Sequence, residues 1–135
     1  MQRVDIEPAI AYLRRRLATL RAVYLFGSQS RGEGGAESDI DIAFLADDSP
    51  SATERHAMSS ELSELLGRDV DLVDLTIAST VIRAQVIGKG TRVAGAATPA
   101  LEEFESRVFS DYARLNEERA TILRDIHQRG AVHGG

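Results

Sequence analysis

The chain has 135 residues, 43% hydrophobic and 27% charged, with no cysteine, which suits one compact domain and excludes a disulfide framework or a thiolate metal site. Sixteen Lys+Arg stand against 21 Asp+Glu, a formal net charge of -5 with no basic tail, so a general nucleic-acid-coating role is excluded, and His56, His127 and His133 are too scattered for a zinc cluster. No stretch approaches the ~20 apolar residues of a membrane span, and MQRVDIEPAIAYLRRR carries charge where a signal peptide needs its apolar run, so a soluble, cytoplasmic protein is expected.

From Glu7 to about Leu20, the residues Ile10, Leu13, Leu17 and Leu20 recur at helical spacing, with Pro8 suited to a first turn. In this helix Arg14-Arg15-Arg16 read as a solvated polar face. Ala22-Val23-Tyr24-Leu25-Phe26 follows as a buried strand that stops at Gly27-Ser28. Residues 29–37, QSRGEGGAE, have no apolar period and read as a loop. A second strand starts at Ser38 and runs to Leu45, and its alternation places Asp39 and Asp41 on one face, Ile40 and Ile42 on the other.

After Asp47-Asp48-Ser49-Pro50, residues 51–66 carry Met58, Leu62, Leu65 and Leu66 at helical spacing, and Gly67 is placed to end that helix. Asp69 to Leu75 returns to period two as a third strand, with Asp69, Asp71 and Val73 on one side. Thr76 to Ile87 reads as a helix closed by Gly88-Lys89-Gly90, with Asp74 as its N-terminal cap. Thr91-Arg92-Val93 reads as a short edge strand. Beyond Pro99 a long helix is expected on the spacing of Leu101, Phe104, Val108, Tyr112, Leu115, Ile122 and Ile126, ending at Gly130 before a loose AVHGG. The sum is a small α/β (α+β) fold, a mixed sheet of three or four strands flanked by helices.

The chemistry concentrates in Gly27-Ser28 and, ten residues later, Asp39-Ile40-Asp41. Gly27 lets backbone approach a phosphate without a Cβ, and Ser28 adds a hydroxyl and an N–H for phosphate oxygens. Two aspartates on one strand face repel each other unless a hard divalent cation stands between them, and their oxygens suit Mg²⁺. Asp is also a poor strand former, so the pair calls for a reason. Asp71, by face and position, is the candidate third carboxylate, with Asp69 and Asp74 as neighbouring alternatives. It could hold a second metal and help deprotonate an incoming hydroxyl, which points to two-metal phosphoryl or nucleotidyl transfer.

GSQSRGEGGAESDIDIAFL resembles the signature of the DNA polymerase β-like nucleotidyltransferase superfamily: G-S, ten residues, D-x-D. The short core with one further helix is most similar to the minimal nucleotidyltransferase (MNT) antitoxins encoded beside HEPN-domain ribonuclease toxins. The resemblance implies the polymerase β-like fold, one domain over 1–135 with a core of about 7–95 and a C-terminal helix of about 99–129. It implies Mg²⁺ on Asp39 and Asp41, completed by Asp71 in VDLVDL, and a nucleotide triphosphate on Gly27 and Ser28, with Arg31 of Arg31-Gly32 meeting a phosphate oxygen. It further implies transfer of AMP from ATP to a tyrosine of a HEPN toxin, with the C-terminal helix offering an outer face to that toxin. Two other readings compete: a binding module that neutralises a basic toxin by occlusion alone, and a nucleotidyltransferase acting on a small molecule such as an aminoglycoside or on an RNA end. The last lacks the added substrate domain such enzymes generally carry, and no basic stripe is evident for RNA.

Overall fold

The structure, a computed structural model, describes residues 5–27 and 39–133, with backbone alone for 130–133. Its elements are α1 (Glu7–Arg16), β1 (Leu20–Phe26), β2 (Ile40–Ala46), α2 (Ala52–Leu66), β3 (Val70–Asp74), α3 (Thr80–Lys89), β4 (Thr91–Ala94) and α4 (Pro99–His133). The four strands form one sheet in the order β3-β2-β1-β4. β1 pairs antiparallel with both β2 and β4, whereas β2 and β3 are parallel, with Asp41 opposite Asp71. The sheet is therefore mixed, as expected, and Thr91-Arg92-Val93 does begin an edge strand. Among the described residues no helix is long and apolar enough to cross a membrane.

Strand alternation sends apolar side chains to two cores. On one face Val23, Ile40, Ile42, Phe44, Val70 and Leu72 pack with Leu13 of α1 and with Met58 and Leu62 of α2. On the other, Ala22, Tyr24, Ala43 and Leu45 pack with Val86 of α3 and Leu101 of α4. The Arg14-Arg15-Arg16 face is exposed, as read from its pattern, and Arg16 reaches Glu61 of α2 at 2.8 Å.

The larger boundary differences from the sequence reading each have a local reason. The first helix stops at Arg16 rather than near Leu20, because Leu17 turns extended while donating its N–H to Leu13 O at 2.8 Å, and the Leu20 N–H then bonds Leu17 O. Its buried side chain, which extended the helical period, packs from the cap instead. β1 begins at Leu20, two residues early, because a register irregularity between Leu20 and Ala22 leaves Arg21 as a bulge whose guanidinium pairs with Asp47. α3 begins at Thr80, capped by Ser79 Oγ accepting the Ile82 N–H at 3.2 Å. Asp74 is therefore not its cap: Asp74 Oδ1 accepts the Thr76 N–H at 2.9 Å and shapes the preceding turn. α4 passes through Gly130 to His133, since a lone glycine costs a helix only about 1 kcal/mol relative to alanine. By contrast Gly67 caps α2 in the left-handed conformation, φ 68°, as its position implied.

A polar bridge ties α4 to the sheet. The Tyr24 hydroxyl, on a residue 2% exposed, donates to Glu105 Oε2 at 2.6 Å, and Arg92 Nη1 lies 3.2 Å from the same oxygen. Burial first, then the bond to Glu105, holds the Tyr24 phenol well above the ordinary tyrosine range. Tyr24→Phe is expected to cost about 1 kcal/mol, and Glu105→Ala about 2, because the latter leaves two donors without an acceptor. Denaturant midpoints at constant slope read both values, and equal losses would contradict the bridge.

Candidate active site

Gly27 ends β1 with φ +71°, a left-handed conformation that glycine adopts without strain. The next strand returns antiparallel, bringing Asp41 opposite Phe26. A Cβ built on Gly27 would overlap Asp41 Oδ2 and stand 3.3 Å from its Cγ. The missing side chain is thus the room in which the Asp41 carboxylate lies. This contact was not foreseen from the sequence, where Gly27 served only as a place for phosphate to approach.

Alternation puts Asp39 and Asp41 on the face of Ala43 and Leu45, toward α3 and α4, while Ile40 and Ile42 are fully buried on the other. The parallel register sets Asp71 directly beside Asp41. Asp39 and Asp71 are exposed and Asp41 is half-buried, so the three carboxylates gather at one open end of the sheet. Asp69 precedes β3, exposed, with its carbonyl accepting the Ile40 N–H at 2.8 Å. Asp74 shares the parity of Val70 and Leu72, points to the opposite face and is 2% exposed. Of Asp69, Asp71 and Asp74, only Asp71 is a register partner of a D-x-D aspartate. Ser28 and Arg31 lie outside the described residues, as does the whole loop 29–37. His56 and His127 are exposed and far apart in the chain.

Burial raises the Asp41 carboxyl above the usual aspartate range, and the charges of Asp71 and then Asp39 raise it further. The sign for folding follows. When the carboxyl is protonated in both folded and unfolded chains there is no penalty; as pH rises from the ordinary aspartate value through the raised folded-state value, the penalty grows to its full size. Asp41→Asn is therefore expected to raise the melting temperature of the metal-free protein at pH 7 by a few degrees, with no gain at pH 3, as scanning calorimetry would show. An unchanged or lower melting temperature at pH 7 would contradict a carboxylate penalised by burial and neighbouring charge.

The same repulsion is what a divalent cation relieves. Among the described residues no group of three or more His, Asp or Glu side chains is placed to hold a metal ion by itself. Mg²⁺ commonly takes one or two protein carboxylates and completes its shell with water and substrate phosphate oxygens. The donor set, all carboxylate on one face, fits that ion.

A glycine held against a strand carboxylate, with a second carboxylate two residues before it and a third on the parallel neighbour, is the juxtaposition expected from the G-S and D-x-D signature. The family model for polymerase beta, nucleotidyltransferase, matches residues 7–97, and the chain belongs to that family. Within it, the chain is 39% identical over 126 residues to the protein adenylyltransferase MntA of Shewanella oneidensis, covering 93% of this chain and 90% of that one. It is similar to a crystal structure of a toxin-antitoxin with AMP-PNP, at 39% identity and TM-score 0.80 over 88% of this chain and 95% of that chain. It is also similar to a structure of a tri-AMPylated Shewanella oneidensis HEPN toxin in complex with MNT antitoxin, at 38% identity and TM-score 0.75 over 89% and 93% of the two chains. The family and fold expected from the G-S and D-x-D signature are those found.

Proposed function

We propose that this chain is a Mg²⁺-dependent protein adenylyltransferase of the MNT antitoxin type, which neutralises a HEPN-domain ribonuclease toxin by moving AMP from ATP onto one of its tyrosines. The observation that carries the reading is the Asp41 carboxylate, seated in the space left by Gly27 and flanked by Asp39 and Asp71. The close likeness to MntA and to toxin-antitoxin structures supports the acceptor class.

In this reading Asp39 and Asp41 hold Mg²⁺, and Asp71 completes the set. When held there, Mg²⁺ would offset phosphate charge and act as a Lewis acid toward the α-phosphate. Gly27 and Ser28 receive the triphosphate through backbone N–H groups and the serine hydroxyl, and Arg31 meets a phosphate oxygen. The toxin's tyrosine oxygen attacks the α-phosphorus while its proton passes to Asp71, which is exposed beside Asp41. The bond from the α-phosphorus to the bridging oxygen breaks, and pyrophosphate leaves with the electron pair. Positioning and electrostatics supply most of the acceleration. The whole chain acts as one domain, a core of about 7–95 with the helix of 99–129 built onto it, in the cytoplasm, where a protein without cysteine has nothing to gain from oxidation.

Occlusion accompanies transfer. The last third of α4 leaves Ile122, Leu123 and Ile126 57–65% exposed, an apolar strip suited to a protein partner. A hetero-oligomer with the toxin is expected, with no role for membrane or nucleic acid.

The test uses ATP labelled at either the α- or the γ-phosphate, with purified toxin and Mg²⁺. Label from the α position is expected on the toxin and label from the γ position in pyrophosphate. Transfer of γ label would make the protein a kinase, and transfer of neither would refute the reading. Aminoglycosides added in place of toxin are expected to remain unlabelled.

A further inference from the structure

The chain contains 15 arginines and a single lysine, Lys89, set between Gly88 and Gly90. It is the last residue of α3, and after Gly90 the chain enters β4 with Thr91 opposite Leu25, two residues before Gly27. Gly90 is pressed against this end of β1: a Cβ there would stand 3.0 Å from Leu25 O and 3.1 Å from Phe26 Cβ. Lys89 is thus anchored within a residue of the β1 terminus that shelters the Asp41 carboxylate. It also arrives on the correct side, since α3 packs on the sheet face that carries Asp39, Asp41 and Asp71.

Its charge is uncommitted there. Among the described residues Lys89 is exposed and has no ion pair, whereas the other cations of α3 and β4 are engaged. Arg83 Nε donates to Leu75 O at 2.7 Å, and Arg92 is held by Glu105. Three carboxylates and a polyphosphate chain together carry more negative charge than one or two divalent cations offset, so the filled site calls for a further cation from the protein. A lysine suits that place as a compact charge on a flexible stem, able to reach from the rim.

We propose that Lys89 is a nucleotide-binding residue whose ammonium contacts the β- and γ-phosphates of the bound nucleoside triphosphate and stays with them as pyrophosphate leaves. The proposal rests on the nucleotidyltransferase reading of the site and adds a residue to it from the opposite rim to the D-x-D strand. Lys89 touches only the leaving part of the nucleotide, so it distinguishes triphosphate from monophosphate.

Equilibrium binding of AMP-PNP and of AMP, each with Mg²⁺, tests it on the full chain. Lys89→Ala is expected to weaken AMP-PNP about tenfold and to leave AMP unchanged, with Lys89→Arg recovering most of the loss. Lys89 is exposed, so the variants fold, which an unchanged melting temperature verifies. Equal weakening of both ligands, or of neither, would overturn the proposal; the latter is the outcome if Lys89 serves only to offset the negative end of the α3 dipole. Failure of the wild-type chain to bind AMP-PNP would instead refute the reading of the site, and the role of Lys89 with it. Being the sole lysine, Lys89 also gives a direct readout: an acyl-phosphate derivative of ATP is expected to acylate it, found by peptide mass, and excess AMP-PNP to protect it. Labelling confined to the N-terminal amine would contradict its position over the phosphates.

Discussion

Replacing Asp39 and Asp41 together by alanine is expected to reduce AMP transfer by at least about 10³-fold while toxin binding is retained. Asp41 on β2 and Asp39 just before the strand lie at the open end of the sheet, and their removal deletes the proposed cation site without touching the apolar residues of either core. Stability should hold or rise, because burial and neighbouring charge already disfavour the Asp41 carboxylate. The double variant should also lose any Mg²⁺-dependent rise in melting temperature that the wild type shows with AMP-PNP. Transfer measured with α-labelled ATP, together with co-purification of the toxin, checks both halves. A variant that still transfers AMP would remove the carboxylates from the mechanism, and one that neither transfers nor binds would mean that the site also forms the interface.

Gly27→Ala should approach the same loss by a different route, about 10²-fold in transfer, with a fall in stability of about 1–3 kcal/mol. An alanine at φ +71° is strained, and its methyl would occupy the position of Asp41 Oδ2. Either the carboxylate turns away or the β1 terminus shifts, and both misplace the cation site. Gly67→Ala is the control: its φ is +68°, yet nothing lies within 4 Å of the added Cβ. It should cost about 1 kcal/mol with transfer intact. Parallel loss of activity in the two variants would attribute the Gly27 effect to instability rather than to the carboxylate it shelters.

The shared face of Asp39, Asp41 and Asp71 was legible because its signals are local. A buried strand broken by glycine, then period-two aspartates, specify which side chains share a face without any knowledge of tertiary packing. Asp71 followed from parity, and Asp74 fell on the opposite face for the same reason. What the sequence hid depends on contacts between distant segments. The α1 terminus at Arg16 was masked because Leu17 is buried from the cap, so the apolar period outlasts the helix. The start of α3 was masked because Asp74 and Ser79 are both good caps, and only the β3 register decides that Asp74 serves the turn. The approach of Gly27 to Asp41 and of Gly90 to Phe26 are cross-strand facts that no local pattern encodes. The lone lysine was visible in the composition, but its place at the rim required the β1–β4 pairing.

The central claim is transfer of AMP to a protein partner, and intact mass tests it most directly. The toxin is co-expressed with this chain and weighed, beside toxin co-expressed with the Asp39→Ala/Asp41→Ala variant. Toxin heavier by one or more AMP units, located on tyrosine, is expected with the wild-type chain, and unmodified toxin with the variant. Unmodified toxin co-purifying with the wild-type chain would contradict it and leave occlusion as the mode of neutralisation.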